Sequence, residues 1–427
     1  MKNKLAILGG SKVIEQKFPR YNSLDDDELQ AVIDVMKGGV LSKYIGAWHE
    51  DFYGGHRIKE LESYISELFN VKYAISVNSW TSGLISAVGA LDIEPGDEII
   101  VTPWTMSASA MAILHWNAIP VFADIDPQTF NIDTESIKAN ITEKTKAIMS
   151  VDIFGQSADV ERINTIAEEN NLYVISDTAQ SPYAKYKGNF AGTLTDIGGF
   201  SLNYHKHIHS GEGGIIVTNN SDYAERMQLI RNHAESVVEG KGVNSINNLI
   251  GYNFRMGELE AAISLSQFKK LPDIAYNRTK LGLQLTDQLS GLEGLKTPYI
   301  QEGNTHVFYV YPLVIDIDEL GISRSRILEA LQAEGLPGLM AGYQNIHLLP
   351  IFQNKIAYGK NNFPWSLSSR NIIYDKGICP VAEELHQQSF IGINFCMYEL
   401  NDDNVELIAK VFKKVWSNID ELKQNAS

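Results

Sequence analysis

The sequence predicts an α/β fold with a largely parallel central sheet and a smaller C-terminal α+β domain. Two observations carry this. Short apolar runs alternate with helix-length segments through the first half of the 427 residues, the mark of strand–helix–strand units with helices on both sheet faces. The alternation stops near Gly251, and a long helical stretch with a sparser mixture follows.

Strands are expected over 73–77, 98–102, 120–123, 147–151, 173–176 and 213–218, where the residues are mainly apolar or β-branched. Helices are expected over 81–91, 107–116, 134–140 and 160–170. Beyond them, 257–290 reads as one long helix, 309–315 as a strand, 324–334 as a helix and 405–425 as a closing amphipathic helix. Residues 1–25 read as an N-terminal arm, 26–275 as the large domain and 276–427 as the small one. Sheets of this class bind ligands at the carboxyl ends of their strands, so the residues after each strand are searched first.

Composition narrows the function. The apolar fraction is 44% and the charged fraction 21%, as in ordinary globular chains. A net charge of −16 argues against sequence-blind nucleic-acid binding, while leaving room for a local basic pocket. Two cysteines, Cys379 and Cys396, are too few for a disulfide framework or a four-thiolate zinc site. The apolar run 5–8 is too short for a secretory core. No stretch approaches the roughly 18 apolar residues of a membrane span. A cytoplasmic protein with no nucleic-acid or membrane partner is expected.

Two segments carry chemistry. In Tyr-Val-Ile-Ser-Asp-Thr-Ala-Gln-Ser, residues 173–181, an apolar strand ends on Asp177. A carboxylate there can pair with a protonated ring nitrogen of a bound cofactor, although a helix cap is the commoner reason for such an aspartate. In Phe-Ser-Leu-Asn-Tyr-His-Lys-His-Ile-His-Ser-Gly-Glu-Gly-Gly, residues 200–214, Lys206 lies between His205 and His207. Burial and nearby cations would strip the proton that a nucleophilic lysine must lose. The glycines permit a tight return into the next strand. His205, His207 and His209 invite a metal reading, since i, i+2 spacing would put the last two on one face of an extended segment. Glu212 is the one acidic neighbour, and zinc wants three or four ligands, so no metal is expected.

These segments, with 54–61, 77–84, 103–110, 151–159, 251–260 and 379–382, resemble the DegT/DnrJ/EryC1/StrS sugar aminotransferases. The resemblance implies a fold type I pyridoxal 5'-phosphate transferase. It implies that Lys206 holds the cofactor as a Schiff base, that Asp177 partners the pyridine nitrogen and that Gln180 touches the 3-hydroxyl. Ser201 and the turn of Trp80, Thr81 and Ser82 would hold the phosphate at a helix N-terminus. Asn253, in Gly-Tyr-Asn-Phe-Arg, resembles a residue sent by a neighbouring subunit, which implies a homodimer with shared active sites. Arg255, His205, Tyr343 and His347 are candidates for the substrate, Arg255 because guanidinium grips carboxylates bidentately.

Two positions depart from the family. It usually has glycine at Trp80, so either the phosphate turn is reshaped or Trp80 faces substrate. It usually has an aromatic residue stacked on the cofactor at Met106. A methionine sulfur can pack on a ring, or Trp104 takes that place.

The resemblance implies amino transfer from L-glutamate to a keto or aldehydo sugar. Its most specific form is conversion of 8-oxo-3,8-dideoxy-manno-octulosonate to the 8-amino sugar, a lipopolysaccharide component. Nucleotide-linked keto-sugars and cyclitols are alternatives. Sugar dehydration, a branch in which histidine replaces the lysine, is opposed by Lys206. A non-catalytic regulatory role is opposed by the near-complete set of cofactor residues.

Overall fold

The computed structural model describes residues 4–424. Residues 1–3 of the expected arm and Asn425 of the expected closing helix lie outside the described residues.

The large domain is built on strands β1 Tyr73–Val77, β2 Glu98–Val101, β3 Ile119–Phe122, β4 Thr145–Val151 and β5 Tyr173–Asp177. A small hairpin follows, β6 Lys185–Tyr186 with β7 Asn189–Phe190, then β8 Ile197–Ser201 and β9 Gly214–Thr218. The seven-stranded sheet has the order β1-β9-β8-β5-β4-β2-β3. Pairs β2/β3, β2/β4, β4/β5 and β5/β8 are parallel, and β9 pairs antiparallel with β8 and with β1. Only β9 therefore runs against the rest. The strands are buried along almost their whole length, as expected where helices cover both faces.

The fold matches the predicted largely parallel sheet, with one strand missed. β8 contains Gly198 and Gly199, which give no apolar or β-branched signal. The backbone requires Gly198, because a Cβ there would meet the Gly192 carbonyl oxygen at 1.9 Å.

The second sheet is antiparallel, from β10 Leu295–Lys296, β11 Tyr311–Ile315, β12 Leu339–Ala341 and β13 Phe390–Ile393, in the order β10-β11-β13-β12. The helix Glu258–Leu289 runs without a break through position 275. The closing segment forms two helices, Asp402–Trp416 and Ile419–Gln424. Residues 5–18 pack against this second core: Leu5, Ile14 and Phe18 are buried with Ile327, Leu331 and Phe395. Their backbone is tied to it as well, with Ala6 N–H donating to Glu334 Oε1 at 2.8 Å and Ile14 N–H to the Glu334 carbonyl at 2.9 Å. No described helix is long and apolar enough to cross a membrane.

Candidate active site

Asp177 closes β5, and its buried carboxylate accepts three hydrogen bonds. Trp80 Nε1 donates to Oδ1 at 2.7 Å, the Ala179 N–H to Oδ1 at 3.2 Å, and Ser109 Oγ to Oδ2 at 2.7 Å. Lys206 sits in the turn after β8, where its N–H donates to the Asn203 carbonyl at 3.0 Å. Its side chain is 8% exposed, and Nζ lies 4.5 Å from the centre of the Tyr309 ring. Burial pushes the Lys206 amine down to about 8, and the Asp177 carboxylate acts in the opposite sense. The structure thus brings these two residues into one pocket.

The histidines diverge. His205 is pushed down to about 4, by burial and then by Lys206, and its ring lies 6.3 Å from that of Tyr309. His207 is fully buried, with Nε2 2.9 Å from the Val307 carbonyl, and burial pushes it to about 3. His209 is half-buried and its backbone N–H donates to Gln267 Oε1 at 3.2 Å. Residues 204–212 form turns and bends rather than an extended segment, so the i, i+2 pair does not share a face as a strand would make it. Among the described residues no group of three or more His, Cys, Asp or Glu could hold a metal.

At the other end of the pocket the helix Trp80–Ala90 begins. Ser79 caps it, its Oγ accepting from the Ser82 N–H at 3.1 Å, while Ser82 Oγ donates to Asn78 Oδ1 at 2.7 Å. Thr81 is exposed. First-turn N–H groups lack intrahelical partners, and the helix dipole adds positive potential. The Trp80 backbone belongs to this anion-seeking turn, but its indole turns away from solvent into the core and reaches Asp177.

Gln180 is buried, its Oε1 accepting from the Phe154 N–H at 2.9 Å and its Nε2 donating to Tyr343 Oη at 3.3 Å. Ser201 Oγ accepts from the Asn203 N–H at 3.3 Å. Met106 is 66% exposed. Trp104 cannot take its place. It is fully buried, donates Nε1 to Asn345 Oδ1 at 2.8 Å and packs among Phe130, Phe154 and Phe390.

The segment 253–255 runs beside the same turn of its own chain. Asn78 donates through its N–H to the Phe254 carbonyl at 2.8 Å and through Nδ2 to the Asn253 carbonyl at 3.3 Å. Asn253 is exposed, and its Oδ1 accepts from Arg255 Nε at 2.8 Å. Arg255 Nη1 also donates to Asn232 Oδ1 at 3.3 Å.

His347, expected near substrate, is set apart. It is fully buried, with Nε2 3.0 Å from Glu383 Oε1 and its ring against Phe122. Its place is fixed by core packing, which spacing along the chain does not reveal. Sequence reasoning missed Ser109 and Tyr309. Ser109 lies in the first turn of the helix Ala108–His115, and nothing along the chain aims it at β5. Tyr309 lay at the start of a predicted strand and gave no signal of its own.

The donor set fits pyridoxal 5'-phosphate. It offers a buried amine that gives up its proton readily, a fixed carboxylate for a ring nitrogen, and a hydroxyl with free N–H groups at a helix end for a phosphate.

Comparison with known proteins agrees. Residues 22–390 match the model of the DegT/DnrJ/EryC1/StrS aminotransferase family. GDP-perosamine synthase of Caulobacter vibrioides is 34% identical over 69% of this chain and 78% of its own length. The spore coat polysaccharide biosynthesis protein SpsC of Bacillus subtilis is 31% identical over 79% of this chain and 86% of its own. The solved structure of an aminotransferase from Psychrobacter cryohalolentis superposes with a TM-score of 0.82 at 29% identity, covering 95% of this chain and all of that one (100%).

Proposed function

Since the chain belongs to the DegT/DnrJ/EryC1/StrS aminotransferase family and is a pyridoxal-phosphate-dependent sugar aminotransferase, we propose its particular reaction: it moves the amino group of L-glutamate to 8-oxo-3,8-dideoxy-manno-octulosonate. The observation that carries the chemistry is the buried Lys206, held near neutrality in the pocket of Asp177.

Bound pyridoxal phosphate supplies an aldehyde that takes up the amino group and a protonated ring that accommodates the electron pair left at the donor's Cα. The protein does the rest. Lys206 Nζ, as a neutral amine, would move the proton between the donor's Cα and the cofactor. Asp177 keeps a negative charge at the ring nitrogen. Thr81 and the N–H groups of the first helical turn hold the phosphate, joined by Ser201. Gln180, oriented by the Phe154 N–H, addresses the ring hydroxyl. The hydroxyl of Tyr343 extends this line toward the acceptor.

The acceptor's carboxylate needs a cation. Arg255, pre-oriented by Asn253 and Asn232, supports that reading. A nucleotide-linked keto-sugar is the second reading, favoured by the resemblance to a GDP-perosamine synthase. Turnover of the aldehydo octulosonate is compared with that of GDP- and dTDP-linked keto-sugars. Activity confined to the nucleotide sugars refutes the first reading.

We also propose that two chains assemble, each lending Asn253 to its partner's phosphate site. Large apolar side chains are exposed in the N-terminal part of the chain, Leu24, Leu29, Met36, Leu41 and Trp48 among them, and such side chains favour association where they adjoin. Sedimentation showing a fully active monomer refutes the shared site.

A further inference from the structure

Trp80 opens its helix, yet its indole runs inward beneath β8 and β9 and is 5% exposed. Two glycines clear its slot. A Cβ on Gly83 would lie 2.5 Å from indole Cε3, and one on Gly199 would lie 2.3 Å from Cη2. The indole Nε1 donates to Asp177 Oδ1 at 2.7 Å. Ser109 Oγ meets the other oxygen at 2.7 Å, and Thr105 Oγ1 lies 2.8 Å behind Ser109. A hydroxyl has one proton. With the Ser109 proton on Asp177, Thr105 is therefore the donor to Ser109. All four residues are buried, where hydrogen bonds to a charge are strong and chains of them reinforce each other.

We propose that Trp80 is a positioning residue for the cofactor's ring nitrogen. Its indole N–H, with Ser109 opposite, fixes the rotation of the Asp177 carboxylate and holds its charge. This rests on the reading of Asp177 as the ring nitrogen's partner. Two donors from different helices leave the carboxylate one orientation. Without the indole N–H, Oδ1 keeps only the Ala179 N–H at 3.2 Å. Its less-compensated charge then draws the ring's proton toward itself. The ring withdraws electrons less strongly from its aldehyde carbon, and the nitrogen of Lys206 joined there keeps its proton to higher pH.

The test uses the cofactor-loaded protein and follows its visible absorption band against pH without substrates. Trp80→Phe keeps an aromatic ring in the slot, though a smaller one, and deletes the donor. The midpoint is expected to rise by about half a unit, roughly a threefold change in the proton equilibrium. Ser109→Ala is expected to shift it in the same direction, and Asp177→Ala further. An unmoved midpoint in Trp80→Phe and Ser109→Ala, with a moved one in Asp177→Ala, overturns the role of Trp80 and leaves it a core residue. An unmoved midpoint in Asp177→Ala overturns the reading of Asp177 itself. Should Trp80→Phe fail to fold, Gly83→Ala probes the same contact. Its methyl displaces the indole, and the midpoint must move with it or the proposal fails.

Discussion

The amine of Lys206 faces the ring of Tyr309 at 4.5 Å from its centre. The ring's electron-rich face favours the ammonium form, against the burial that disfavours it. Replacing Tyr309 by leucine therefore lowers the amine's titration midpoint further below about 8, by about half to one unit for a cation–π contact of this kind. Tyr309→Phe leaves it in place. The pH dependence of amine acylation in the cofactor-free protein reads this midpoint directly.

Lys206 also sets a pH dependence of stability. Its folded midpoint, about 8, lies below its ordinary 10.5. Between those values the unfolded chain binds more protons, so the cofactor-free protein gains stability as pH rises from about 8 to 10.5. Below that window the full burial cost of the ammonium is present. Lys206→Met should stabilise the cofactor-free protein at pH 7 by on the order of 3 kcal/mol. The gain should vanish above pH 10.5. Denaturant melts at both ends of the window check the sign.

The helix end at Thr81 predicts a binding defect without a folding defect. Thr81 is exposed, so Thr81→Ala removes a hydroxyl without opening a cavity. Cofactor affinity should fall about 10- to 100-fold, the range for one hydrogen bond to a charged group, while the thermal midpoint of the cofactor-free protein stays unchanged. Titration of that protein with pyridoxal phosphate measures it.

His347 predicts the converse. Its contacts with Glu383 and Phe122 are buried, so His347→Leu should lower stability by about 1–3 kcal/mol. The KM for the acceptor should stay within about twofold, since a removed ground-state contact would raise it. A raised KM at unchanged stability would return His347 to the substrate pocket.

Much of this was legible in the sequence because several strands announce their own ends. The apolar run into Asp177 marked β5, and the Gly-Glu-Gly-Gly turn marked the start of β9. β8 was hidden because Gly198 clears the Gly192 carbonyl and Gly199 clears the Ile215 carbonyl and the Trp80 indole, tertiary demands without local periodicity. Lys206 and Asp177 were found by motif. Their neighbours Tyr309 and Ser109 come from distant elements, where spacing carries no information. Trp80 was singled out as anomalous, but its direction depends on glycines in a helix and a strand more than a hundred residues apart. His347, named as a substrate candidate, is buried against Glu383 and Phe122, surroundings that come from distant parts of the chain.

The most direct test is the absorption spectrum of the purified, cofactor-loaded protein. The visible band of the cofactor joined to Lys206 should disappear on addition of L-glutamate and return when the acceptor sugar is added. Lys206→Ala should show neither change. A band that no amino acid alters would contradict amino transfer through Lys206.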